Sequence, residues 1–169
     1  MASMPPDDRP EPAHLGTEME TLGQFLDFQR ATVLWKCGGV SEADLRREQV
    51  PSGTNMLSIV KHLAWIERHW FREEFVGDPD VGIPWTEEDP DADLRIEPGE
   101  TPEVIFALYR RACDESRRAI VDNSPDDLAA GPGGPRTLRW ILIHMIEETA
   151  RHNGHLDILR EQTDGLTGE

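Results

Sequence analysis

Cysteine and cationic residues are scarce in this chain. Only two of its 169 residues are cysteines, Cys37 and Cys113. Two thiols make no disulfide framework, so a reducing cytoplasm is the expected setting, and both are read as small buried residues. Lys and Arg number 17 against 33 Asp and Glu, a formal net charge of −16. So few cations cannot track a phosphate backbone, which excludes a nucleic-acid partner. The same acidity excludes an anionic membrane surface. No apolar run approaches the roughly 18 residues that a membrane-spanning helix needs. Residues 1–14 lack the apolar stretch of a signal peptide. Pro5, Pro6, Asp7, Asp8, Pro10, Glu11 and Pro12 instead read as a disordered acidic tail. There is no internal repeat and no sustained strand-type alternation.

What is present is helical periodicity in a chain the size of one domain, with 37% hydrophobic residues to build a core. Leu22, Phe25, Leu26, Gln29, Val33 and Trp35 space a first helix over roughly 17–36, ended by Gly38-Gly39. Ser41 caps a short turn. Thr54 or Asn55 opens a second long helix over 54–76, closed by Gly77, with Ile59, His62, Leu63, Ile66, His69 and Trp70 on its stripe. Residues 77–100 are a long loop rich in Pro, Gly and acid, a functional cover or a mobile segment, in which Trp85 is placed to tuck the loop over the fold. Thr101-Pro102-Glu103 starts a third helix, with proline at its first position, running to about Asn123. A fourth spans Thr137 to Gln162. Four long helices and no strands predict an all-α four-helix bundle over residues 15–165.

The binary pattern breaks once. On the fourth helix, positions 141, 145, 148, 152, 155 and 159 fall within an arc about 80° wide. Ile141, Met145 and Leu159 are apolar; Glu148, His152 and His155 between them are not. A carboxylate and imidazoles on a core-facing stripe need compensation. His62 interrupts the stripe of the second helix in the same way. Bundles build metal sites from inward side chains on facing helices. Two imidazoles and one carboxylate leave coordination positions open, as catalytic rather than structural sites do. Zinc is expected first, with nickel, iron and manganese compatible with the same ligands. The bland alternatives are a solvated Glu148–His152 pair and a hydrogen-bonded core His62. His69, two turns beyond His62, is too far along the axis to share that ion and is read as wall or surface. His144 and His155, each within a turn of a candidate ligand, are candidates for proton transfer or ligand orientation. Arg30 is read as a surface residue, with an inward pose toward a substrate carboxylate as the alternative.

The segments Gly53-Thr54-Asn55-Met56-Leu57-Ser58-Ile59-Val60-Lys61-His62-Leu63-Ala64-Trp65-Ile66-Glu67-Arg68-His69-Trp70-Phe71 and His144-Met145-Ile146-Glu147-Glu148-Thr149-Ala150-Arg151-His152-Asn153-Gly154-His155 resemble the DinB/YfiT-like metalloenzyme superfamily. Within it they resemble the actinobacterial mini-circle-protein branch, a domain of unknown function. The resemblance covers about Leu22 to Gly165. It implies an up-down four-helix bundle with a long crossover, a homodimer, and a metal triad of His62, Glu148 and His152. Many members carry His in place of Glu148. The Glu form is similar to the mycothiol-dependent maleylpyruvate isomerases. Many members also carry Gln in place of His155.

The chemistry the resemblance implies is that of a low-molecular-weight thiol, mycothiol or bacillithiol, joined to or isomerising a small electrophile as an S-transferase or isomerase would. Metal-assisted hydrolysis, with Glu147 or His155 as base, would use the same triad. A metal-stabilised binding or stress-response module with no activity is the third reading.

Overall fold

The structure of the chain, a computed structural model, describes residues 4–167. Those residues are helical or irregular, apart from an isolated antiparallel bridge between Leu128 and Thr137. The helices are α1 (Glu18–Cys37), the single turn α2 (Glu42–Leu45), α3 (Met56–Arg68), α4 (Pro102–Ile120) and α5 (Leu138–Asp164). The all-α class expected from the sequence is the one observed.

The helix starts follow local chemistry. Thr17 and Glu20 cap α1 reciprocally, and Asn55 and Ser58 do the same for α3. Such exchanges satisfy amide groups that have no partner inside the helix. Thr101 caps α4 ahead of Pro102, and Thr137 caps α5. The helix expected over 54–76 is divided. After Arg68 the backbone widens into a π-helical segment, His69–Val76, and Gly77 closes it in the left-handed region at φ 79°.

Helix α1 packs along α5, and α3 along α4; α3 also touches α5 and a 3-10 turn at Ala92–Leu94. One apolar core gathers Val33, Leu57, Val60, Ile105 and Leu156. A second gathers Leu26, Phe71, Leu138, Ile141 and Met145. Trp85 lays the crossover against the π segment, its ring 5.4 Å from that of His69. Further along, Lys61 Nζ donates to the carbonyl of Arg95 and to Glu100 Oε2, at 2.6 and 2.8 Å. These contacts hold the 3-10 turn on α3.

Two features depart from the sequence reading. Arg30 is not at the surface: it is buried and donates twice to Glu67, at 2.7 Å each, with Asp27 as a third partner at 2.8 Å. A buried guanidinium needs such a partner because desolvation is costly. Phe25, counted on the apolar stripe of α1, is half exposed, and Arg30 and Lys36 occupy the buried face instead. Cys37 and Cys113 are free and buried. Of the tail expected to be disordered, residues 1–3 lie outside the described residues. Residues 4–13 form no helix and run against α1, where Trp35 Nε1 donates to the Pro5 carbonyl at 3.1 Å.

Candidate metal centre

The polar break in α5 faces the polar break in α3. His62, Glu148 and His152 each offer a ligand atom, and the three atoms lie within 4.8 Å of one another. Both imidazoles turn Nε2 to the same carboxylate oxygen: His152 Nε2 is 3.1 Å from Glu148 Oε1, and His62 Nε2 is 3.5 Å from it. All three side chains are 16% exposed, so the cluster is sheltered yet reachable. Ile141 and Met145 below it on α5, and Leu156 and Leu159 above it, are buried. The apolar rows pin the helix, and the pinned helix sets where the three polar groups meet.

The cluster has outer support. His62 Nδ1–H donates to Asp93 Oδ2 at 2.7 Å. Asp93 is buried and sits in the 3-10 turn of the crossover. Its hydrogen bond leaves Nε2 of His62 directed at Glu148, the arrangement by which metal-binding histidines are oriented. On the other side, His155 Nδ1 lies 3.4 Å from His152 Nδ1.

The electrostatics favour a cation. Burial pulls the His62 pKa down, but hydrogen bonds to Asp93 and Glu148 outweigh it and push the pKa up to about 9. Hydrogen bonds from His152 and His62 hold Glu148 well below the ordinary carboxylate range. Burial, together with the nearby His152 and Arg151, lowers the pKa of His155. Two carboxylates, Asp93 and Glu148, thus converge on the His62 imidazole, whose raised pKa keeps it protonated against them. A divalent ion would supply that positive charge and displace the proton from His62. The donor set and its second layer therefore fit a divalent metal such as zinc.

The other histidines singled out from the sequence lie apart from this cluster. The ring of His144 packs 4.6 Å from Trp70 and is stacked 5.2 Å from Trp140. Its Nδ1 is 4.0 Å from Glu147, which is 61% exposed. His69 Nδ1 donates to Glu73 at 2.8 Å, and its ring meets Trp70 and Trp85.

A family model described as mycothiol-S-transferase matches residues 21–165. The chain belongs to the mycothiol-S-transferase family. That family is part of the DinB-like superfamily. No curated protein matches the sequence. A crystal structure of a conserved protein from Enterococcus faecalis is similar in fold, with a TM-score of 0.63 and 14% identity over 90% of this chain and 100% of that one.

The match spans both halves of the cluster in this mycothiol-S-transferase family member, His62 on α3 and Glu148 and His152 on α5. Asp93 also falls within it, and sequence reasoning missed it. It lies among Glu87, Glu88, Asp89 and Asp91, and no spacing rule separates a buried carboxylate from its solvated neighbours in a loop.

Proposed function

We propose that this member of the mycothiol-S-transferase family is a divalent-metal-dependent S-transferase that joins a low-molecular-weight thiol to a small electrophile. The observation that carries the reading is the convergence of two Nε2 atoms and a carboxylate within 4.8 Å, with Asp93 behind His62. His62, His152 and Glu148 are the ligands. When bound there, the ion, zinc first, stabilises a thiolate and lowers the pKa of the thiol.

The chain's own groups set the geometry. Asp93 keeps the His62 proton on Nδ1, so Nε2 presents a lone pair. His155, held neutral by its lowered pKa, accepts from Nδ1–H of His152 and fixes the other tautomer. Glu148 contributes one negative charge, so the centre keeps net positive charge for an anionic sulfur. His144, with Trp70, forms the aromatic wall one turn away. The thiol proton leaves to solvent. The sulfur pair forms the new C–S bond, and the leaving group departs with its bonding pair. In the isomerase variant, the thiol adds to a conjugated double bond and is eliminated again unchanged. The homodimer and the cytoplasmic setting belong to the same proposal, and light scattering tests the first.

The test compares metal content and thiol consumption in the parent protein, His62→Ala and His152→Ala, each checked for helix content. The expected result is near-stoichiometric metal in the parent, lost in both variants, and mycothiol consumed with an electrophile only by the metal-loaded parent. A parent that takes up no zinc, nickel or manganese would sink the proposal.

A further inference from the structure

Two cavities that share Ser52 and Thr54 in their walls lie beside His155, the neighbour of the ligand candidate His152. The nearer, about 330 Å³, is lined by His155 and Ile158 of α5 and by Val50, Ser52 and Thr54 ahead of α3. His155 is the residue that meets His152. The farther, about 690 Å³, shares Ser52 and Thr54 with it and adds Arg46 and Glu48 on one wall and Arg95 and Glu97 on the other. The second wall follows directly on the turn that carries Asp93. The larger volume is that of a typical small-molecule site.

The chemistry of the larger cavity is unusual in this acidic chain. Guanidinium and carboxylate groups line both walls, together with the hydroxyls of Ser52, Thr54 and Ser58. Ser52 and Thr54 hydrogen bond to each other at 2.9 Å, and either can donate outward. The Glu48 carboxylate makes no side-chain hydrogen bond among the described residues, so its acceptors are free. A ligand of one charge would meet like charge on each wall. Hydroxyl groups, which both donate and accept, match a lining of mixed donors and acceptors.

We propose that this cavity is the binding site for the polyhydroxylated part of the thiol cofactor, with the smaller cavity as the passage that carries the thiol arm past His155 to the metal ligands. The inference rests on the thiol-dependent reading above. Mycothiol is a cysteine thiol carried on a sugar–cyclitol unit, so it divides into a reactive arm and a polyol handle. Its two parts match the passage and the cavity in polarity and in order. The handle binds away from the reacting sulfur, so it supplies affinity and selects one thiol from the cell's others without entering the chemistry.

The test is calorimetry on the zinc-loaded protein with two probes, mycothiol and N-acetylcysteine, which has the thiol arm and no polyol. Two variants accompany the parent: Glu48→Ala, which removes a free acceptor, and Ser52→Trp, which fills the passage between the cavities from an exposed position. Mycothiol is expected to bind the parent at least about ten-fold more tightly than N-acetylcysteine, since several hydrogen bonds are added. Glu48→Ala is expected to weaken mycothiol several-fold and leave N-acetylcysteine unchanged, and Ser52→Trp to remove most of the mycothiol advantage. Equal binding of the two probes by the parent, or loss of both probes in step in the variants, would overturn the polyol site and leave the transferase reading standing. Binding of neither probe to zinc-loaded protein would overturn both.

Discussion

An imidazole presents one nitrogen to a metal reliably only when the other is held protonated, and at His62 that task falls to Asp93. The carboxylate is buried and bonded to Nδ1 at 2.7 Å. Removing an outer partner of this kind lowers metal affinity by about 10–100-fold. Asp93→Ala is therefore expected to retain helix content and the ligand triad but to lose zinc to a chromophoric chelator at a correspondingly lower chelator concentration. Unchanged affinity would mean that the crossover merely covers the site. The contrast with the triad shows what a sequence can reveal. His62, Glu148 and His152 stand out because polar residues break apolar stripes of known period, and the period fixes which way they point. Asp93 has no such frame, since loop direction is set by contacts such as Lys61 to the Arg95 carbonyl, 34 residues away. Arg30 is unreadable for a related reason: its partner Glu67 lies 37 positions on and in another helix.

At the scale of elements, caps and breakers mark the helix boundaries, but they do not reveal the π segment. A stripe at 3.6-residue spacing stays apolar when one wider turn is inserted, and residues 69–76 contain no proline or glycine to announce it. What receives that segment is the glycine-rich break before α5. Gly131 N donates to the Glu74 carbonyl at 2.8 Å, and Ala130 N to that of Phe75 at 3.0 Å, satisfying the open end of the π turn. The approach is so close that a Cβ on Gly131 would stand 2.3 Å from the Glu73 carbonyl oxygen. Backbone cannot yield as a flexible side chain would. Gly131→Ala is thus expected to destabilise the protein by about 1–3 kcal/mol, as overpacking does, read as a lower urea midpoint. Gly82→Ala has nothing within 4 Å of its Cβ but has a positive φ, so it isolates the conformational cost of a strained alanine. Equal losses in the two variants would show that contact with the π segment contributes nothing.

In the molecule as a whole, the helices form two closely packed pairs, α1 with α5 and α3 with α4, and the seam between α3 and α5 is thinner. The candidate metal lies on that seam, with His62 from one pair, Glu148 and His152 from the other, and Asp93 from the crossover. An ion there would link the two helix pairs across their thinner seam, with the crossover already held on α3. It would also bring positive charge to a chain of net charge −16 whose two lysines, Lys36 and Lys61, are both buried in ion pairs. Ligand that binds only the folded state at about a thousand times its Kd adds roughly 4 kcal/mol of stability. For a domain of this size that corresponds to a rise in Tm on the order of 10 °C. Zinc is therefore expected to raise the Tm of the parent by about that much, and a chelator to reverse it. The gain should shrink as salt is added, because screening already relieves part of the acidic repulsion. His152→Ala separates the two contributions: it should keep the salt response and lose the zinc response. If zinc raised the Tm of His152→Ala as much as that of the parent, the ion would be binding the acidic surface and not the seam.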